Sequence, residues 1–253
     1  MRLHRAAAAV IAAIAAVLGA CGTTGGNVVA FDVAAAGVDG ASTVDTPLGW
    51  HVVLSRAKLH LGAVYLNLSV PISGSQETSC ILPGVYTAEE LSPLDVDVLS
   101  TALQPFPAPA TGTDDEARTA EVWLTGSDIN ATSDSTVIAD LAGTATRGAQ
   151  VVPFTAAITI SAGNRGIPQS DPALPSQHPI CKQRIVSPIA IALRPHAGGT
   201  LAIRVATEPW FANVDFAALP AGGVFPDSNA SSASQNLFTG LRAATATFQL
   251  SFP

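Results

Sequence analysis

The sequence contains little of what ionic surfaces and soft-metal sites require. It has three cysteines, and its one methionine is Met1, so the rest of the chain offers no thioether ligand for Cu(I). Charged residues make up 12% of the chain, with 19 Asp and Glu against 12 Lys and Arg. Nucleic-acid binding calls for clustered Lys and Arg. The composition therefore predicts that nucleic acid is not a partner.

Short catalytic and nucleotide-binding motifs are also missing. The chain has no Gly-x-Ser-x-Gly nucleophile elbow, no His-Glu-x-x-His zinc motif, no phosphate loop and no Gly-x-Gly-x-x-Gly signature. A binding or accessory protein is favoured over an enzyme. A hydrolytic enzyme of an unrecognised type is the alternative.

What the chain does contain begins with an export signal. Arg2 and Arg5 come before an apolar run of twelve residues, Ala6–Val17. This run is shorter than the roughly 20 residues that cross a bilayer as a helix, and its form is that of a secretory signal. The residues Leu18-Gly19-Ala20-Cys21 then resemble the lipobox of bacterial lipoproteins.

The lipobox resemblance implies a signal peptide over residues 1–20, cleavage before Cys21, lipid on the Cys21 thiol and a flexible tether over residues 21–27. The protein would then be extracytoplasmic in the cell envelope, anchored to the outer face of the plasma membrane or to an outer membrane. Without Arg2 and Arg5 the formal charge is −9. Membrane attachment is therefore expected through the lipid and not through a basic surface.

Lipidation of Cys21 leaves two cysteines, Cys80 and Cys181. In an oxidising envelope an isolated pair predicts a disulfide. Closing a loop of about 100 residues would stabilise the fold by about 4.7 kcal/mol in the entropic model. Two free thiols and metal ligation are the alternatives.

Residues 28–253 are predicted to form one domain built mainly of short strands, because Val, Ile, Thr and Leu runs alternate with Gly, Pro, Ser and Asp. The pattern favours an all-β fold, either an antiparallel β-sandwich or a partly closed barrel, with few short helices. Predicted strands are Val28–Ala36, Arg56–Val64 and Ala243–Phe252, and predicted hairpins join Val137–Thr146 to Val151–Ser161 and Ile185–Arg194 to Thr200–Ala206.

Helices and loops are predicted at five places. Thr87–Leu91 has the capping residue and early glutamates of a single helical turn. Trp210–Leu219 and Asn236–Arg242 are the other short helices. The proline-rich stretches Gln104–Arg118 and Gly166–Pro179 are expected to be loops within the domain.

The candidate metal ligands are the four histidines that follow the signal: His51, His60, His178 and His196. Neutral imidazoles bind copper and zinc well. No two of them have the spacing of a local metal motif, and a surface or loop role is the alternative for each. In a straight strand His51 and His60 would face opposite sides, so only a bulge or turn would bring them together.

Two sets of carboxylates complete the candidates. Asp95 and Asp97 would point the same way along a strand, as paired catalytic carboxylates must, although a solvated edge explains them equally well. Asp227-Ser228-Asn229 offers oxygen ligands for a hard cation, but lacks the fuller ligand set of a calcium loop.

Two segments are similar to parts of MbnP-like periplasmic proteins, which are β-rich secreted proteins associated with copper handling. The segments are WHVVLSRAKLHLGAVYL at Trp50–Leu66 and WFANVDFAAL at Trp210–Leu219. This resemblance implies a link to copper and places no ligand residues. The sequence thus predicts a membrane-tethered binding or accessory module with copper as its candidate ligand. A metal-free module that docks an envelope protein or a cell-surface polymer is the alternative.

Overall fold

The computed structural model describes residues 25–69, 85–126, 133–161, 183–228 and 230–253. The strands within these ranges are β1 (Val28–Gly37), β2 (Thr43–Asp45), β3 (His51–Leu61), β4 (Ala63–Asn67), β5 (Tyr86–Glu90), β6 (Leu94–Asp97), β7 (Gln104–Pro105), β8 (Ala110–Thr113), β9 (Ala117–Trp123), β10 (Ser133–Arg147), β11 (Gln150–Ser161), β12 (Ile185–Leu193), β13 (Thr200–Val205) and β14 (Phe248–Ser251). The helices are α1 (Glu208–Phe211), a 3₁₀ helix (Phe216–Ala218), α2 (Ser232–Leu241) and α3 (Ala244–Thr247).

The larger of two sheets has nine strands in the order β12-β9-β4-β5-β8-β1-β13-β14, with β7 also paired to β1. β1 and β13 run parallel, whereas the other neighbouring strands are antiparallel, so the sheet is mixed. Helix α3 packs against both edge strands, β12 and β14. The large sheet is therefore a nearly closed barrel.

The small sheet has five strands in the order β11-β10-β3-β2, and β6 pairs with the free end of β3. Its inner face joins the common core, in which Val52, Leu59 and Leu141 are fully buried. Aromatic rings from the helical region extend this core: Phe154 of β11 lies 5.0–5.9 Å from the rings of Phe211, Phe216 and Phe225. None of the helices in the part of the chain that is described is long and apolar enough to cross a membrane.

The all-β prediction is confirmed, and so are several of its elements. β1 begins at Val28 as expected, β3 alternates between buried and exposed residues, and β10 and β11 form the predicted hairpin. The short helices expected within Trp210–Leu219 and Asn236–Arg242 are also present, although α2 begins earlier, at Ser232.

Four local predictions are wrong. Ile185–Arg194 and Thr200–Ala206 both contain strands, but β12 pairs with β9 and β13 pairs with β1, so they form no hairpin. Within Thr87–Leu91, residues 87–90 lie in strand β5 because β4 and β8 supply hydrogen-bonding partners on both sides. Gln104–Arg118 contains β7, β8 and the start of β9, and residues 244–247 are helical ahead of a strand that starts at Phe248. The predicted loop at Gly166–Pro179 lies outside the described residues.

The two sheets share one stretch of chain, because β3 passes from the small sheet into β4 of the large sheet through Gly62 alone. Gly62 donates its N–H to the Trp123 carbonyl at 2.7 Å. A Cβ atom at this position would lie 1.9 Å from the backbone oxygen of Thr125. Only glycine lets the two backbones approach so closely at the corner between the sheets.

Replacing Gly62 with alanine is therefore expected to destabilise the fold by about 1–3 kcal/mol or more, because backbone must move to relieve the overlap. Thermal unfolding of the Gly62→Ala variant would show the loss as a lower Tm. Gly126→Ala is the matched control, since a Cβ at Gly126 would meet nothing within 4 Å. Equal Tm values for the two variants would contradict this account of the corner.

Candidate functional site

The outer face of the small sheet carries two of the candidate histidines. Strands β3 and β10 pair with a register shift of one residue. Leu54 lies opposite Gly143, but Arg56, two residues later on β3, lies opposite Ala142, the neighbouring residue of β10. This β-bulge adds one residue to β3 and reverses the alternation of its side chains. His51 and His60 consequently lie on the same solvent-facing side, which a straight strand would have prevented.

Each of these histidines pairs with an aspartate on a neighbouring strand. His51 Nδ1 lies 2.7 Å from Asp45 Oδ1, and His60 Nδ1 lies 2.6 Å from Asp95 Oδ1. Both are directly opposed cross-strand pairs. A carboxylate on Nδ1 holds the imidazole in one orientation and makes Nε2 the nitrogen that can accept a proton or bind a ligand.

The three histidines in the described ranges do not converge on a common centre. His60 is nine residues after His51 along β3, which corresponds to about 30 Å. His196 follows β12 beside the large sheet, where its ring packs edge-on against Phe252 at 4.9 Å. His178 lies outside the described residues. Across the described ranges no group of three or more His, Cys, Asp or Glu side chains is arranged to hold a metal ion.

A shallow cleft of about 470 Å³ surrounds His60 on this face. Arg56 contacts Asp140 at its margin, with 2.9 Å between Nη2 and Oδ1. Cationic side chains therefore lie along β3, with the carboxylates of Asp95 on β6 and Asp140 on β10 beside them. The His60 side chain is only 15% exposed. The lining residues are Lys58, His60, Asp95, Val137, Asp140 and Ala157.

The carboxylates singled out in the sequence have separate tasks. Asp95 and Asp97 are both exposed on β6, as the alternation predicts. Asp95 is engaged by His60, whereas Asp97 Oδ1 accepts the backbone N–H of Leu99 at 3.0 Å. Their carboxylates are therefore held by different partners.

Asp227 protects the edge of the small sheet. Its carboxylate accepts the backbone N–H of Thr159 at 3.2 Å, and it also accepts the Thr159 hydroxyl. Nearby, Gly223 and Phe225 form backbone hydrogen bonds with Thr155 of the same strand, β11. Both carboxylate oxygens are thus used in covering an edge strand, which gives Asp227 a structural role in place of the cation site considered from the sequence.

Sequence reasoning missed one group, the carboxyl of Glu121 on the outer face of the large sheet. Glu121 is fully buried beside the rings of Tyr65, Tyr86 and Trp123. Its Oε2 lies 3.4 Å from both the Tyr86 hydroxyl and Trp123 Nε1, which donate to it. Its Oε1 has no hydrogen-bond partner among the residues that the structure describes. A lone glutamate in the apolar run Ala120–Leu124 is the signal that could have revealed it.

Burial raises the pKa of Glu121 to about 7, although the hydrogen bonds from Trp123 and Tyr86 act in the opposite direction. The pKa of Tyr86 is also raised, first by burial and then by the charge of Glu121. Glu121 thus gains or loses its proton near neutral pH, while the three surrounding rings limit its access to water.

The three cysteines, Cys21, Cys80 and Cys181, lie outside the described residues, so lipidation and the disulfide stay predictions from sequence. No protein-family model matches this chain, and no curated protein or solved structure matches it.

The raised pKa of Glu121 predicts a specific dependence of stability on pH. An ordinary glutamate, as in the unfolded chain, titrates near 4.5. Folding therefore favours the protonated form, and this contribution is fully present below pH 4.5 and is lost as the pH rises through about 7. Relative to wild type, Glu121→Gln should be more stable above pH 7, by an amount on the order of 3 kcal/mol, and equal to it near pH 4.

Chemical denaturation of both proteins at several pH values measures this difference directly. Glu89→Gln is the matched control, because Glu89 lies on the next strand but one of the same sheet and is exposed. Stability should fall with rising pH in wild type and in Glu89→Gln alike, because both retain the buried carboxyl of Glu121. If the difference in unfolding free energy between wild type and Glu121→Gln does not change with pH, the buried carboxyl keeps an ordinary pKa.

Proposed function

We propose that this protein is a lipid-anchored, extracytoplasmic lipoprotein that acts as a binding or accessory module, and that the His60 cleft receives its partner. The observation that carries the proposal is the composition of the cleft. Lys58 and the ion pair of Arg56 with Asp140 stand beside an imidazole that Asp95 orients.

The mixture of charges favours a protein segment or a charged polymer as the partner. Small-molecule sites are usually concave and mostly apolar, whereas this cleft is open and presents both signs of charge. Arranged charges of this kind select a complementary partner and speed its association. The apolar side chains of Val137 and Ala157 add a contact surface between the charged groups.

The lining residues also favour binding over nucleophilic catalysis. A His–Asp pair activates a hydroxyl or thiol that lies within hydrogen-bonding reach. None of the six residues that line the cleft is Ser, Thr or Cys. His60 is therefore assigned to recognition, with Asp95 as the residue that positions its ring.

Site-specific photo-crosslinking in intact envelopes tests this proposal. A photoreactive residue at Val137 should capture the partner, and the same residue at Val224, which is exposed elsewhere, should not. Lys58→Gln should lower the Val137 crosslink about tenfold, which corresponds to about 1.4 kcal/mol of binding free energy. Arg118→Gln is the control for charge removal, because Arg118 is exposed on the large sheet. Equal crosslinking in the Lys58→Gln variant would refute the assignment of the cleft.

Metal binding is the second candidate, favoured by the geometry of His60 and Asp95. Metal-ligating histidines commonly donate their other ring nitrogen to a carboxylate, and His60 Nδ1 lies 2.6 Å from Asp95. The ammonium group of Lys58 in the same cleft opposes a cation. A metal version of the function therefore needs a partner or a further ligand to complete the coordination at His60.

Native mass spectrometry of the full chain after exposure to Cu(II) and Zn(II) distinguishes this version. It predicts one retained ion that His60→Ala removes and that His196→Ala leaves in place, since His196 packs on Phe252. If wild type retains no ion, or if both variants retain it equally, His60 is not a metal ligand.

A further inference from the structure

We propose that the end of the barrel from which the tether leaves lies against the lipid surface, through four exposed side chains. These side chains, the tether-end patch, are those of Val28, Leu68, Val85 and Tyr86. The inference rests on the proposed anchor at Cys21 and adds to it a face of the protein and a lipid partner.

The patch lies at one end of the large sheet. Val28 is 86% exposed, Val85 60%, Tyr86 44% and Leu68 41%. Val28 and Tyr86 line the same surface cavity of about 350 Å³. Leu68 donates its N–H to the Val85 carbonyl at 2.9 Å, which places these two residues side by side. Exposed apolar residues that gather in one place mark an interaction surface, unlike those scattered singly.

The start of the described chain is fixed at this same end. The backbone N–H and side-chain amide of Asn27 donate to the Asp114 carboxylate at 2.7 and 2.9 Å. Gly26 donates its N–H to Asp115 at 3.2 Å. Hydrogen bonds from Asn27 hold the pKa of Asp114 below its ordinary value, so this clamp stays ionised near neutral pH. The chain therefore leaves the fold beside Val28.

The length of chain before the clamp limits how far the patch can be from the lipid. Gly26 is five residues after Cys21, and this length of chain spans at most roughly 17 Å when fully extended. A diacylated Cys21 lies at the membrane surface, so Gly26 is held within that distance of it, and the tether-end patch begins two residues further along the chain, at Val28. A lipid surface is thus available to the patch at all times, whereas a soluble partner must compete for it.

The chemistry of the patch suits the headgroup boundary of a zwitterionic lipid bilayer. Valine and leucine side chains gain free energy by entering this boundary, and the half-exposed ring of Tyr86 adds apolar surface while its hydroxyl remains bonded to Glu121. The neighbouring acidic run Asp114-Asp115-Glu116 disfavours anionic headgroups.

Hydroxyl-radical footprinting of the full lipidated chain in phosphatidylcholine vesicles tests the inference, because it reads side-chain exposure directly. Oxidation of Tyr86 and Leu68 should fall by roughly fivefold relative to the same protein released from the vesicles by cleavage within the tether. Val151 and Val224, which are 64% and 56% exposed on other parts of the surface, should be oxidised equally in both states.

A paired set of variants assigns the effect to the patch. Val28→Ser with Val85→Ser should restore oxidation of Tyr86 on vesicles to the released level while the lipid keeps the protein attached. Val151→Ser with Val224→Ser is the matched control and should retain the protection of Tyr86. All four substituted side chains are exposed, so the fold should tolerate the changes.

Flotation of the same vesicles separates the two proposals. If the wild-type chain fails to float, or if Cys21→Ala floats equally well, the anchor is wrong and the inference built on it is overturned. If wild type floats and Cys21→Ala does not, but Tyr86 is oxidised equally before and after release, the anchor stands and the patch is refuted. Stronger protection on anionic phosphatidylglycerol vesicles would overturn the choice of zwitterionic lipid.

Discussion

The contact between the backbones of Gly62 and Thr125 is the constraint on which the architecture depends. It allows one strand to run from His51 in the small sheet to Asn67 in the large sheet with a single residue at the corner. Barrels and sandwiches use such corners to pass a strand between sheets. Because both sheets are pinned to the same stretch of chain, their inner faces close over one core.

This shared strand also organises the two groups of polar side chains. His60 is on the outer face of the small sheet, and Tyr65, five residues later, is on the outer face of the large sheet beside Glu121. The first group lines a surface cleft, in which the partly buried His60 ring lies beside exposed charged side chains. The second is enclosed, so its carboxyl responds to pH through burial. One segment of chain thus contributes to two polar environments of opposite character. These environments differ in what covers them and not in their secondary structure.

Local pattern predicted the fold class and failed on partners and burial. Alternation identified β1, β3 and the β10–β11 hairpin because their periodicity and turns are local. The same alternation predicted a hairpin of β12 and β13 with its turn at Gly198-Gly199, although β12 and β13 each pair with a strand far away in sequence. The Ala and Thr residues before Phe248 alternate, but side chains this small carry little information on burial. The bulge after Leu54 and the burial of Glu121 arise from contacts with distant strands. No local sequence pattern indicates the bulge. The only local sign of the buried carboxyl is a single glutamate in an apolar run.

The cover that Asp227 provides for β11 has a consequence for how closely copies of this protein can stand together. Where the local concentration of a protein is high, an open strand edge becomes a template for joining neighbouring chains. Asp227 and the segment around Val224 occupy the backbone groups that such joining would use at Thr155 and Thr159. Crowded copies of this protein can therefore remain separate at this edge of the small sheet.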